Sequence, residues 1–102
     1  MKIINKASWH IDGGFPESLV IKHFKTVFTW LDCKDMLSPD GKEELQFGID
    51  ESVSLHEGLL SCQALVFLEK RYDDYLKSVD FGNDEDAAML EKLYAEHVKL
   101  SE

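Results

Sequence analysis

The clearest pattern in the chain is a stripe of apolar side chains at helical spacing in the first third of the sequence. It predicts a helix that begins at Pro16 or Glu17 and ends at Lys34, with the lysines on its other side. Because the stripe is wide, we expect this helix to lie in the core. Its apolar members are Val20, Ile21, Phe24, Val27, Phe28, Trp30 and Leu31.

Trp30 has a second interpretation, because Trp is frequent at the hot spots of protein interfaces. An exposed Trp30 would anchor a partner protein, whereas a buried one belongs to the core. On a helix this apolar, the core interpretation is favoured. His23 lies next to the stripe and is predicted to be at the boundary of the core.

Two more helices are predicted in the second half of the chain. The longer one begins at Ser52 or Ser54 and ends at Val79. Its start is marked by Ser54 and Glu57, whose spacing fits a capping box. The last helix covers residues 84–100, and its acidic first turn suits the positive end of the helix dipole.

Two short segments each allow two structures. Ser38 and Pro39 can cap and open a short helix over residues 39–46, or they can belong to a turn. Residues 2–6 alternate weakly between apolar and polar side chains, so they can form a short strand or an arm.

Residues 7–16, Ala-Ser-Trp-His-Ile-Asp-Gly-Gly-Phe-Pro, form the most unusual stretch of the chain. We predict an extended arm that turns at the two glycines with positive φ and then enters the first long helix. Trp9 and Phe15 are predicted to be core residues, since large aromatic side chains are usually buried. The alternative is that His10 and Asp12 form an acid–base or metal-binding pair, although the sequence offers no further ligands beside them.

Together these elements predict an all-α fold of about four helices in one compact bundle, with an N-terminal extended arm. A length of 102 residues is enough for one core, so residues 1–102 are predicted to be a single domain. Apolar residues make up 44% of the chain, which excludes disorder as its main state.

Charge narrows the classes of partner. The formal net charge is −9. Residues 51–102 have five basic against twelve acidic side chains, whereas residues 1–50 have six against eight. Because nucleic-acid binding needs a basic patch that faces the phosphates, direct binding of nucleic acid is not expected. An acidic surface serves solubility or attracts a basic protein.

The sequence also predicts a compartment. The longest apolar run, residues 64–68, is too short to cross a bilayer, and residues 1–6 lack the apolar region of a signal peptide. We therefore expect a cytoplasmic protein with no membrane association. Cys33 and Cys62 do not have the spacing of a C-x-x-C motif, and in a reducing compartment they are expected to be free and buried.

No motif of catalysis or metal binding is complete. His56 and Glu57 begin like a zinc-protease helix, but Leu60 stands where the second histidine must be. Residues 80–86 are dense in acids but lack the ligand spacing of a calcium loop. The four histidines are scattered, and neither cysteine has a histidine near it in sequence. We therefore expect no enzymatic activity, no cofactor and no metal.

The acids of the second half form the candidate partner-binding surface, as one negative face that continues beyond the longer helix. The tyrosines near this face have two open interpretations, as aromatic residues of an interface or as residues at the boundary of the core. The predicted partner-binding residues are Tyr72, Asp73, Asp74, Tyr75, Asp80, Asp84, Glu85 and Asp86.

Several short motifs occur together near both ends of the chain and in its predicted helices. They are Ser8-Trp9-His10, Gly13, Phe15-Pro16, Phe28-x-Trp30-Leu31, Leu37-Ser38 and Tyr72-Asp73-Asp74-Tyr75. This set resembles the signature of a family of small bacterial proteins that open with an S-W-H…G-x-F-P stretch and carry a late Y-x-D-Y element. Residues 40–65 match that family poorly.

Proteins of that family look like immunity proteins, the companions of polymorphic or contact-dependent bacterial toxins. The resemblance implies that this chain binds and neutralises a cognate toxin domain, such as a basic nuclease, and it carries over no catalytic residue. The acidic charge agrees with this expectation, because a nuclease cleft is built to bind a polyanion. The alternative hypothesis is a generic regulatory or adaptor module that binds protein.

Overall fold

The apolar stripe in the first third of the sequence forms the central helix of the fold. The computed structural model describes residues 3–78 and 87–101, which are mainly helical and include one small sheet. The predicted mainly helical class is thereby confirmed. The elements are β1 (Ile3–Lys6), α1 (Ala7–Asp12), α2 (Glu17–Cys33), α3 (Pro39–Phe47), β2 (Ser54–His56), a 3₁₀ helix (Glu57–Leu59), α4 (Cys62–Ser78) and α5 (Ala87–Ser101).

Helix α2 is buried along the predicted stripe. The stripe is almost fully buried except at Ile21, which is half-buried. Trp30 is only 3% exposed, so the core interpretation of Trp30 is confirmed. The Trp30 ring lies 5.7 Å from the Phe67 ring of α4 and 5.6 Å from the Tyr94 ring of α5, measured between centroids. The boundary position predicted for His23 is wrong, because this side chain has no exposed surface.

Helix α3 resolves the alternatives at Ser38 and Pro39 in favour of a helix. The Ser38 hydroxyl oxygen accepts a hydrogen bond from the Gly41 N–H at 3.2 Å, and Pro39 takes the first helical position. The helix ends at Phe47 because Gly48 has a φ of 109°, which favours glycine. On the inner side of α3, a Cβ added at Gly41 would lie 2.1 Å from the Leu59 carbonyl oxygen. Only glycine fits this contact.

Strand β1 pairs antiparallel with β2, so the N-terminal residues form a strand rather than an arm. The predicted extended arm is wrong beyond β1, because residues 7–12 form helix α1. Ala7 is the first residue of α1, so its N–H has no acceptor within the helix. It donates to the Val53 carbonyl at 3.0 Å, and this bond anchors the helix. The predicted turn is present, but only Gly14 has the predicted positive φ, at 102°, whereas Gly13 has a φ of −78°.

The long helix predicted from Ser52 or Ser54 begins later than expected, at Cys62. Ser54 belongs to β2 and Glu57 to the 3₁₀ helix, so their spacing imitates a capping box. The cap of α4 is Ser61, whose hydroxyl accepts from the Ala64 N–H at 3.2 Å. Burial of the intervening leucines in the sheet and the core overrides the helical pattern, since Leu55, Leu59 and Leu60 are each at most 7% exposed.

The remaining predictions concern the cysteines, the last helix and the membrane. Cys33 and Cys62 are free, as predicted, but both are exposed, so the prediction of burial is wrong. The last helix is present as α5, whereas its predicted start and the preceding terminator fall within residues 79–86, outside the described residues. Among the helices described, none has the length and apolar character needed to cross a membrane.

Candidate protein-binding surface

The predicted partner-binding residues fall into three groups. Asp73 and Asp74 are exposed on α4. Tyr72 and Tyr75, on the same helix, are 4% and 0% exposed, so they are core residues that a partner cannot reach in this structure. The other four, Asp80, Asp84, Glu85 and Asp86, lie outside the described residues.

Helix α4 is not an acidic helix as a whole, because three basic side chains balance its three acids. Arg71 pairs with Asp74 across one turn at 3.4 Å. Such an exposed pair contributes little to stability. The charged residues of α4 are Glu69, Lys70, Arg71, Asp73, Asp74 and Lys77.

Tyr72 is the centre of a buried chain of hydrogen bonds that joins β1, α1, α2 and α4. Its hydroxyl lies 2.7 Å from Asn5 Nδ2 and 2.5 Å from His23 Nε2. Asn5 Oδ1 is in turn 2.7 Å from His10 Nε2. Tyr75 stacks on the His23 ring, with 5.9 Å between the centroids. This network explains why Tyr72 and Tyr75 face inwards.

One backbone group fixes the direction of two bonds in this network. The Lys6 N–H can only donate, at 2.9 Å, so Asn5 Oδ1 is the acceptor and Asn5 Nδ2 donates to the Tyr72 oxygen. His10 Nε2 then donates to Asn5 Oδ1, and the tautomer of the His23 imidazole sets the direction of its bond with the Tyr72 hydroxyl. Every bond in the network therefore has a donor and an acceptor, and its role is to hold four elements together.

The structure gives no support to a catalytic or metal-binding pair of His10 and Asp12. His10 is directed to the amide of Asn5, and Asp12 is exposed at the end of α1. Within residues 3–78 and 87–101, no group of three His, Cys, Asp or Glu side chains is arranged to hold a metal ion.

The aromatic residues of the opening motif are on the surface, contrary to the prediction. Trp9 is 53% exposed and Phe15 is 44% exposed. Helix α1 is short and buries Ala7, and Trp9, two positions further on, points to the opposite side of the helix. Phe15 packs with its edge against the His10 ring at 6.2 Å.

The largest excess of acid in the described part of the chain lies between α2 and the 3₁₀ helix. Residues 35–57 carry seven acids and one lysine, a net charge of −6 out of −9 for the chain. All seven are exposed except Glu44, which is half-buried. We call residues 35–57 the acidic segment. Its acids are Asp35, Asp40, Glu43, Glu44, Asp50, Glu51 and Glu57.

Local contacts favour the charged forms in the acidic segment. Lys42 and Asp35 form an ion pair at 2.9 Å, and the hydrogen bond from Lys42 to the Asp35 carboxylate raises the Lys42 pKa. The Ser52 hydroxyl and N–H both donate to Asp50, which lowers the Asp50 pKa. The Asp50 carboxylate is therefore held in its ionised form at neutral pH.

The outer side of α3 combines this charge with an exposed aromatic ring. Asp40, Glu43 and Phe47 share one face, at spacings of three and four residues, while Gly41 is buried on the other face. Phe47 is 81% exposed, the highest value among the large apolar side chains described. This combination of carboxylates with an accessible ring is suited to contact with a basic protein surface.

Sequence reasoning did not find the acidic segment. Counting charge by halves divides the segment at residue 50 and so conceals it. The sequence does carry a signal for this surface. Asp40, Glu43 and Glu44 repel one another at helical spacing. The apolar Phe47 follows on the same face of the helix.

No protein-family model, curated protein or solved structure matches this chain. The resemblance to immunity proteins therefore stays a prediction.

Proposed function

We propose that this protein is a cytoplasmic immunity protein, which binds a basic toxin domain, such as a nuclease, and blocks it without catalysis. The observation that carries the proposal is the exposed acidic segment, with its net charge of −6. The motif resemblance points to the same function.

The physical argument is electrostatic. A nuclease binds phosphates through a positively charged cleft, and an exposed group of carboxylates is attracted to the same cleft. Complementary fields raise the association rate constant to about 10⁸ M⁻¹s⁻¹ at low salt, above the 10⁵–10⁶ M⁻¹s⁻¹ of roughly neutral pairs. Fast capture is what an inhibitor of an incoming toxin requires. For this attraction the carboxylates of the acidic segment need no cofactor or metal ion.

The test begins with the genes beside that of this protein, where the proposal expects a toxin domain, and it uses that domain with an inactivating substitution for the binding measurements. We expect the wild-type protein to bind this domain and to protect cells that express the active form. The association rate constant should fall steeply as salt is raised. A wild-type protein that neither binds nor protects would contradict the proposal.

Two charge-reversal variants locate the surface. Lysine at Asp40, Glu43 and Glu51 should slow association roughly tenfold or more, because the acidic segment then loses its negative field. The matched variant carries lysine at Glu69, Asp73 and Asp74, the three exposed acids of α4. It should slow association less, since α4 is balanced in charge.

A further inference from the structure

The end of helix α3 exposes an apolar side chain that the fold does not use. Phe47 is 81% exposed and precedes Gly48, whose φ of 109° ends the helix. The contacts that hold α3 in place are on its inner side, where Gly41 meets the Leu59 carbonyl and Leu45 packs against the core. Exposing a phenyl ring to water has a cost in free energy, and no packing contact in the core compensates for it.

A shallow depression runs along the outside of the same helix. Its lining residues recur at three- and four-residue spacing, so they form one stripe about 13 Å long on a nine-residue helix. The depression thus has the length of about two and a half turns of a partner helix, with the phenyl ring at one end. Its lining residues are Pro39, Lys42, Glu43, Gln46 and Phe47.

Within the lining, Lys42 and Glu43 cancel, but Asp40 and Glu44 on the same helix give α3 a net charge of −2. A second copy of the chain would bring another acidic segment, and nucleic acid or an anionic membrane would bring phosphates, so all three are repelled. A basic polypeptide is attracted. An amphipathic helix with lysine or arginine beside its apolar side chains satisfies both the carboxylates and the phenyl ring.

We propose that the outer face of α3 docks a basic amphipathic helix of the partner, with Phe47 packed among its apolar side chains. Asp40 and Glu43 pair with the basic side chains that flank them. The identity of that partner as a toxin domain rests on the proposed function. The docking mode itself depends only on the shape and charge of α3.

The probe is a synthetic peptide of about 14 residues, with leucines on one helical face and lysines and arginines on the others. A second peptide replaces the leucines with serine. Fluorescence anisotropy gives the Kd of each peptide for the full-length wild-type protein and for two variants, Phe47→Ser and Trp9→Ser. Trp9 is the matched control, because it is also an exposed aromatic residue.

We expect Phe47→Ser to raise the Kd of the leucine peptide about fivefold or more, as the loss of an interface anchor does. Trp9→Ser should change it less than about twofold. The serine peptide should bind more weakly and should not respond to Phe47→Ser. As the leucine peptide is added to the wild-type protein, the largest changes in backbone amide shifts in the NMR spectrum should be in residues 40–47.

The proposal is overturned if the leucine peptide does not bind, if Phe47→Ser leaves its Kd unchanged, or if the shifts change elsewhere. Circular dichroism of each variant confirms that it is folded. A peptide that docks on α3 while the neighbouring toxin is not neutralised refutes the proposed function alone. A toxin that is neutralised equally by the wild type and by Phe47→Ser, with no peptide bound, refutes the docking mode alone.

Discussion

The hydrogen-bond network around Tyr72 and the outer face of α3 both bring aromatic rings together with polar side chains, in opposite environments. In the network, Tyr72 and His23 are buried, and each hydrogen bond joins a donor to an acceptor. On α3, Phe47 and Glu43 are exposed, and the ring has no place in the core. An aromatic ring beside a polar side chain therefore serves the fold in one region and is exposed to solvent in the other.

This difference shows that residue type and helical spacing do not by themselves identify an interface. Tyr72 and Tyr75 have the composition of a binding surface, yet they hold β1 and α2 against α4. Phe47 has the composition of a core residue, yet it is exposed. Exposure is set by the side of the helix that faces the rest of the fold.

The largest expected effect is the loss of Tyr75. Tyr75→Ala should lower the free energy of unfolding by about 3–5 kcal/mol, because it removes a fully buried ring and leaves a cavity. Phe47→Ser, the matched change on the surface, should alter it by less than about 0.5 kcal/mol. Urea unfolding followed by circular dichroism measures both. If both variants lost the same free energy of unfolding, the distinction between a buried network that stabilises the fold and a surface that does not would be wrong.

A smaller effect is expected from removing one hydroxyl group of the network. Tyr72→Phe removes the hydroxyl that bonds to Asn5 and to His23, and it should lower the free energy of unfolding by roughly 1–3 kcal/mol in total. Tyr94→Phe, on the half-buried tyrosine of α5, is the control and should change stability by less than about 0.5 kcal/mol. A Tyr72→Phe protein as stable as this control would show that the network does not hold the elements together.

The smallest effect is at the surface contact between α2 and α5. The hydrogen bond from Lys34 and a further one from the Trp30 indole lower the pKa of Glu91 below its ordinary value of 4.5. The contact therefore stabilises the folded state above about pH 4.5, and this stabilisation is lost as pH falls through the lowered pKa.

Glu91→Gln tests this dependence. The difference in unfolding free energy between the wild type and this variant should be present at pH 7 and shrink towards pH 3. High salt should reduce the difference at pH 7, because the pair is at the surface. A difference that stays constant with pH would contradict the assignment.

The sequence predicted the elements whose signals are local. Helix α2 follows from its apolar stripe, and the Ser38 cap with Pro39 at the first position gave α3 as one of two possible structures. The start of α4 could not be predicted in the same way. Ser54 and Glu57 imitate a cap, and their strand and 3₁₀ structure depends on pairing with β1, about 50 residues away in the chain.

The candidate site depended still more on contacts distant in sequence. The inward direction of Tyr72 is fixed by Asn5 and His23, which are 67 and 49 residues away. The exposure of Trp9 follows from the short α1, which buries the side carrying Ala7. Burial habits of residue types therefore placed Trp9 and Phe15 in the core wrongly, although they placed Trp30 correctly.

Because Gly41 lies so close to the Leu59 carbonyl, the two sides of α3 tolerate substitution to different degrees. Inward positions such as Gly41 and Leu45 are constrained by the Leu59 backbone and by the core. Substitutions there disrupt the packing of α3 against the rest of the fold. Outward positions such as Glu43 and Phe47 carry no such constraint. Substitutions on the outer side of α3 can thus accumulate while the scaffold beneath stays unchanged.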